Sequence, residues 1–219
     1  MKRKEAMHNF LTADIYGLTS EEHSMGRSNA ETARLMLESE IKVIQYREKD
    51  KKAAEMYKEC LELREMTRKA GATLIINDHI DLAIAVDADG VHIGQDDLPP
   101  SVVRKLIGEE MIIGLSTHTP QEAKAAVECG LVDYIGVGPI FSTKTKKDVC
   151  APVGFAYLDY VAHHIPLPFV AIGGIKEHNI VEVRARGARV IALVTEIVGA
   201  DNIPAKVRSI RERLATARQ

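Results

Sequence analysis

Gln45, Arg47 and Lys49 stand at alternate positions at the end of a β-branched run, so all three side chains can project to one side of an extended strand. Two cations there would suit an anion, although the triplet read alone serves equally as a solvated strand end with scattered charge. Asn77-Asp78 ends the next apolar run, and Asp96-Asp97 follows the one after it. Oxygen-only ligands of this kind favour magnesium. Each aspartate has a plainer reading, Asp78 as the cap of a following helix and Asp97 as a turn residue before Pro99-Pro100. Together, and facing Arg47 and Lys49, they favour a magnesium-bound diphosphate, because the metal neutralises part of its charge and the bases take the remaining oxygens.

More polar chemistry collects further along. Ser116 ends a fifth run, and the segment Gly138-Pro139-Ile140-Phe141-Ser142-Thr143-Lys144-Thr145-Lys146-Lys147-Asp148 is dense in hydroxyls and ammonium groups. It is a phosphate-binding candidate, with a basic surface loop as its alternative. Gly173-Gly174 ends a seventh run and is expected to precede a helix, so that bare backbone N–H groups and a helix dipole can meet a phosphate, with Thr195 nearby. Tight packing of the turn explains the diglycine about as well. His118 could act as an acid or base, but a hydrogen-bonded structural histidine is the preferred reading.

All these groups need elements that hold them at one rim. Short β-branched runs alternate with longer amphipathic stretches, the pattern of repeated βα units around a parallel sheet. Eight such runs are expected: Asp14 to Thr19, Lys42 to Arg47, Thr73 to Asn77, Gly90 to Gly94, Met111 to Ser116, Tyr134 to Pro139, Phe169 to Gly173 and Val190 to Thr195. Helices are expected over Asn29 to Ser39, Lys52 to Lys69, Ser101 to Ile107, Thr119 to Glu128, Gly154 to His163, Glu177 to Arg186 and Ile203 to Thr216. Thr119-Pro120-Gln121-Glu122 has the cap, first-turn proline and acid of a helix start, while Gly130 and Gly187 sit where helices should stop. The fold class is therefore α/β, a single-domain TIM (β/α)8 barrel whose active site is built by the loops that follow the strands. A doubly wound open sheet is the alternative, disfavoured because no Gly-rich dinucleotide fingerprint follows the first run. Residues 1–12 are polar and read as a surface extension, with the barrel over 13–219.

Composition narrows the partners. With 29 basic and 31 acidic side chains the net charge is -2, so nucleic acid is not expected, and no apolar run is long enough for a membrane span. Cys60, Cys129 and Cys150 form no metal or disulfide pattern; they suit a reducing cytoplasm, each as a buried small apolar residue. Homo-oligomerisation is left open.

With these residues in hand, the sequence resembles the thiamin phosphate synthase family from about Ile15 to Ile197. The likeness is carried by Gln45-Tyr46-Arg47-Glu48-Lys49, Ile76-Asn77-Asp78, Gly90-Val91-His92-Ile93-Gly94-Gln95-Asp96-Asp97, Gly114-Leu115-Ser116, Gly136-Val137-Gly138-Pro139-Ile140-Phe141 and Ile172-Gly173-Gly174-Ile175. The resemblance implies a TIM barrel joining hydroxymethylpyrimidine diphosphate to a hydroxyethylthiazole phosphate, with thiamin phosphate and pyrophosphate as products. It implies magnesium on Asp78 and Asp97. Arg47, Lys49, Asn77, Ser116 and Lys146 would hold the diphosphate, with Arg47, Lys49, Ser116 and Lys146 acting on the leaving group. Gln45 would contact the pyrimidine, and Thr143, Thr145, Gly174 and Thr195 would surround the thiazole phosphate. The chain departs from the family pattern at Ser20, where an aspartate is usual, at Arg189-Val190 in place of Asp-Gly, and at Thr195 in place of serine.

Two other functions are weighed. A related thiazole tautomerase resembles the synthase but generally lacks the metal-binding aspartates, and would use His118 for a proton shift. A silent barrel that senses thiamin precursors is the non-enzymatic alternative; the complete set of diphosphate-site residues argues against it.

Overall fold

Eight parallel strands pair in chain order and close on themselves in the computed structural model, which describes residues 2–143, 145 and 150–216. They are β1 (Ile15–Leu18), β2 (Val43–Tyr46), β3 (Thr73–Asn77), β4 (Gly90–Ile93), β5 (Ile112–Thr117), β6 (Tyr134–Val137), β7 (Phe169–Ala171) and β8 (Val190–Leu193). The ring closes where Ile15, Tyr16 and Gly17 of β1 pair with Ile191, Ala192 and Leu193 of β8. The chain is thus a single (β/α)8 barrel, as expected.

The helices are α1 (Lys2–Thr12), α2 (Asn29–Glu38), α3 (Ala53–Lys69), α4 (Ile80–Ala85), α5 (Pro100–Ile107), α6 (Pro120–Cys129), α7 (Gly154–His164), α8 (Ile180–Ala185), α9 (Thr195–Val198) and α10 (Ile203–Thr216). The α6 start behaves as its sequence requires: Thr119 accepts a hydrogen bond from the Glu122 N–H at 3.2 Å, Pro120 opens the helix, and Gly130 closes it at φ 66. None of the helices is long and apolar enough to cross a membrane, among the described residues.

Strand alternation divides the core in two. Ile44, Tyr46, Leu74, Ile76, Ile113 and Ile135 face the helices, while Tyr16, Val43, Ile75, Ile112, Tyr134, Val170 and Val190 fill the barrel. Gly114 makes room inside: a Cβ there would lie 2.2 Å from the Tyr134 ring and 2.5 Å from His92. Buried ion pairs brace the strand starts, the end of the barrel away from the loops that build the active site. Arg64 makes a two-pronged pair with Asp89 at 2.6 and 2.9 Å, and Asp89 also accepts the Leu74 N–H. Arg104 reaches Asp133 at 3.0 Å, and Asp133 in turn receives the Ile113 N–H and Arg3.

Four expectations are corrected or completed. Residues 2–12 are no loose surface extension: α1 buries Ala6 and Phe10 in the barrel interior, and Arg3 ties it to Asp133. The short helices α4 and α9 were given no bounds, being only 6 and 4 residues long, too short to show a helical period. The helix expected from Glu177 begins three residues later, because Asn179 Oδ1 accepts the Lys176 N–H at 2.7 Å and holds a turn there. Of the cysteines, Cys60 is buried but Cys129 and Cys150 are exposed, at a helix end and in the loop after β6.

Candidate active site

A cavity of about 870 Å³ opens at the carboxyl ends of the strands. Gln45, Arg47, Lys49, Asn77, Asp78, Asp97, Ser116, Thr143, Thr145, Gly174 and Thr195 all line it. Of the residues expected to hold ligands, Lys146 alone lies outside the described residues.

Register brings them together. β2 pairs with β3 through Gln45 and Ile75, β3 with β4 through Asn77 and His92, and β5 with β6 through Ser116 and Gly136. Gln45, Asn77, His92 and Ser116 therefore share the inward face of neighbouring strands. Arg47 follows two residues after Gln45 on the same side, its N–H bonded to Thr19 Oγ1 at 3.0 Å. Burial pulls the Arg47 guanidinium below its usual value, while Asp78, Glu48 and Glu22 push it back up. Lys49 stands 3.9 Å from Asp78.

The loop carrying Arg47 and Lys49 is anchored from behind. Glu48 turns away from the cavity to accept the Glu21 N–H at 3.0 Å and the Asn29 amide at 2.9 Å. Lys51 bonds Glu21 and Glu59, and Tyr46 donates to Glu59 at 2.7 Å. The two cations thus leave the strand end on a stem fixed by its neighbours.

Asp78 does not serve the plainer role weighed for it, whereas Asp97 does sit in the turn before Pro99. His79 and Pro99 precede α4 and α5 with no side-chain cap, so Asp78 caps no helix; Asp78 instead takes a left-handed φ of 63, its N–H bonded to the His92 carbonyl at 2.9 Å. Such a conformation costs a non-glycine residue energy and persists where the surroundings impose it. Asp97 folds back to accept the Gly94 N–H at 2.6 Å. Among the described residues no group of three or more His, Cys, Asp or Glu could hold a metal; Asp78 and Asp97 line the cavity along with Asp96 and Glu122.

On the opposite side the loop after β6 lies directly on the end of β7. Ile140 and Phe141 donate to the carbonyls of Ile172 and Gly173, both at 2.9 Å. A Cβ at Gly173 would meet Pro139 at 2.4 Å, and one at Gly174 would meet the Ser142 carbonyl at 2.6 Å; both residues also have positive φ. The diglycine is thus a close-packing device between two loops, and α8, starting at Ile180, is too far along the chain for its dipole to act at Gly174. Thr143 and Thr145 join their hydroxyls at 3.0 Å beside it. His118 bonds the Gly138 carbonyl through Nδ1 at 2.6 Å, the structural role preferred for it.

Several cavity residues escaped the sequence reading. Tyr16 and His92 line the floor, where Ser116 Oγ, His92, Tyr134, Tyr16 and Gln45 form one hydrogen-bonded chain with links of 3.0, 3.1, 2.9 and 3.0 Å. Burial pushes the Tyr16 and Tyr134 hydroxyls well above the usual phenol value, so they stay protonated. Lys176 was also missed, although a loop directly after β7 is where the barrel rule says to look.

A family model described as thiamine monophosphate synthase matches residues 15–197. The chain is 65% identical over 211 residues to a thiamine-phosphate synthase of Pelotomaculum thermopropionicum, covering 96% of each. It is 53% identical to one from Lawsonia intracellularis, over 94% of this chain and 95% of the other. Among solved structures, a thiamine phosphate pyrophosphorylase from Pyrococcus furiosus is similar with a TM-score of 0.86 at 32% identity, over 96% of this chain and 98% of that one.

Proposed function

The chain belongs to the thiamine monophosphate synthase family and is a transferase of that class, and from that premise we propose that it joins hydroxymethylpyrimidine diphosphate to a hydroxyethylthiazole phosphate, with pyrophosphate as leaving group. One observation carries this reading to individual residues: two carboxylates, Asp78 and Asp97, and two cations, Arg47 and Lys49, line a single cavity at the barrel mouth.

The donor set fits magnesium. Magnesium is commonly held by one or two carboxylates with substrate phosphates and water completing an all-oxygen shell, and Asp78 and Asp97 are two such groups with no capping duty. When bound, it would neutralise charge on the diphosphate and favour departure of pyrophosphate.

The chain's own residues have separate tasks. Arg47 and Lys49 would take the diphosphate oxygens and stabilise charge growing on the leaving group, with Lys146 as a third cation on sequence grounds. Asn77 and Ser116, on the inward face with β4 between their strands, would supply neutral hydrogen bonds to the same group. Gln45, buried and fixed by Tyr16, would present its amide to the pyrimidine edge. Thr143, Thr145, Gly174 and Thr195 would surround the thiazole phosphate. In a dissociative substitution the pyrophosphate departs first and the thiazole ring nitrogen captures the pyrimidine cation; that nitrogen is neutral and needs no general base. His118, occupied by the Gly138 carbonyl, fits this absence of a proton shift. The three thiols, none in a disulfide, support a cytoplasmic setting.

The test is one assay of both substrates with and without magnesium. Thiamin phosphate and pyrophosphate should form in equal amounts only when both substrates and the metal are present. Isomerisation of a thiazole phosphate without metal, and no thiamin phosphate, would overturn the reading.

A further inference from the structure

One cavity cation has no task in the reading above. Lys176 lies in the loop after β7 and lines the cavity. Its Nζ donates to Thr195 Oγ1 at 2.8 Å and pairs with Glu196 Oε2 at 3.2 Å. These bonds use two of its three donors. The stem is fixed at its base, since the Lys176 N–H donates to Asn179 Oδ1 at 2.7 Å and the Asn179 amide donates to the Gly174 carbonyl at 3.2 Å. One asparagine therefore ties Lys176 to the diglycine.

The charges behind it are almost balanced. Lys206 bonds Glu177 at 2.8 Å and stands 3.6 Å from Glu196, and Arg213 stands 3.8 Å from Glu177. Lys176, Lys206 and Arg213 are three cations against the two carboxylates Glu177 and Glu196, which leaves one positive charge. Lys206 and Arg213 are drawn toward Glu177, so the surplus is presented at the cavity by Lys176. An ammonium beside a hydroxyl whose own proton can still be donated is a receptor for a doubly charged phosphate.

We propose that Lys176 binds the phosphate of the acceptor thiazole together with Thr195, and thereby selects the phosphorylated thiazole over the free alcohol. The assignment rests on the synthase reading and adds a specificity residue to it. Glu196 is its positioning partner, holding the ammonium toward Thr195.

The experiment is steady-state kinetics on the wild-type enzyme and Lys176→Met, varying each substrate in turn, with the thiazole alcohol as an alternative acceptor. A charge-assisted hydrogen bond lost from a phosphate should raise KM for the thiazole phosphate on the order of 10- to 100-fold. KM for the pyrimidine diphosphate and kcat at saturation should stay within about 2-fold, because the diphosphate side is untouched. The preference for phosphate over alcohol should fall by the same factor as KM rises, and Lys176→Arg should restore most of it. Lys176→Gln gives the same readout if the methionine variant folds poorly. An unchanged KM for the thiazole phosphate, or equal losses for phosphate and alcohol, would refute the assignment while the wild-type activity leaves the synthase reading standing. A wild-type enzyme that forms no thiamin phosphate would overturn both.

Discussion

Replacing Phe10 by alanine should unseat the floor of the barrel. Phe10 is fully buried, with its ring centroid 4.3 Å from that of Tyr134 and 6.2 Å from that of Tyr16. An aromatic side chain covers roughly 150–250 Å², worth about 4–6 kcal/mol at about 25 cal/mol per Å². Alanine retains a small share of that area and the site collapses only in part, so a loss of about 3–5 kcal/mol is expected. For a domain of this size each kcal/mol moves Tm by about 2–4 °C, which sets the expected drop at roughly 6 to 20 °C. Urea unfolding followed by circular dichroism measures the first figure and calorimetry the second. Leu11→Ala is the control on the same helix: Leu11 is 56% exposed, and its loss should stay within about 0.5 kcal/mol. If Phe10→Ala costs under about 1 kcal/mol with an unchanged urea slope, α1 is not part of the barrel core and the account of the floor is wrong.

Three further outcomes follow from the same coordinates. Asp97→Ala should lower kcat by roughly 100-fold or more while leaving stability within about 1 kcal/mol, since an exposed rim carboxylate is removed; unchanged turnover at saturating magnesium would remove Asp97 from the metal site. Burial pushes the Glu59 carboxyl up, but hydrogen bonds from Lys51, Tyr46 and Asn29 outweigh it and hold it below its ordinary 4.5. A carboxyl depressed in the folded state stabilises above that unfolded value and ceases to do so as pH falls through the folded one, so wild-type stability should decline below about pH 4.5 more steeply than that of Glu59→Gln; parallel acid limbs in urea titrations would contradict this. Cys60, buried with its thiol pushed far up by burial, should resist iodoacetamide in the native protein, whereas Cys129 and Cys150 should each take one label by mass spectrometry.

The strands were legible because each has few residues and strong constraints. A barrel strand must be apolar on both faces and end in a polar rim, and the β-branched runs met that demand within a residue or two at nearly every boundary. Helices long enough for several turns, such as α3 and α10, announced themselves by period. The short turns α4 and α9 could not, and α1 hid its role because only Ala6 and Phe10, four residues apart, are buried, while Met7 is partly buried and Leu11 exposed. The carboxyl-end rule located the cations and carboxylates of β2, β3 and β4 from spacing alone. It failed for Lys176, which reads as one more solvated lysine until Thr195 and Glu196 are seen against it. Tyr16, His92 and Tyr134 were invisible for another reason: inside strands they look like ordinary filling, and only pairing register reveals that their polar atoms touch.

That touching makes the floor one linked unit. An amide N–H cannot accept, so Gln45 donates to the Tyr16 oxygen, and the Tyr16 and Tyr134 hydroxyls share a bond of 2.9 Å. Tyr134 meets Nδ1 of His92 at 3.1 Å, and Nε2 of the same ring meets Ser116 Oγ at 3.0 Å. The Ser116 hydroxyl is thereby held at the cavity by a ring that is itself held from below. Removing any one member of the row would strand the polar atom of a neighbour, so the serine at the cavity depends for its place on residues it never touches.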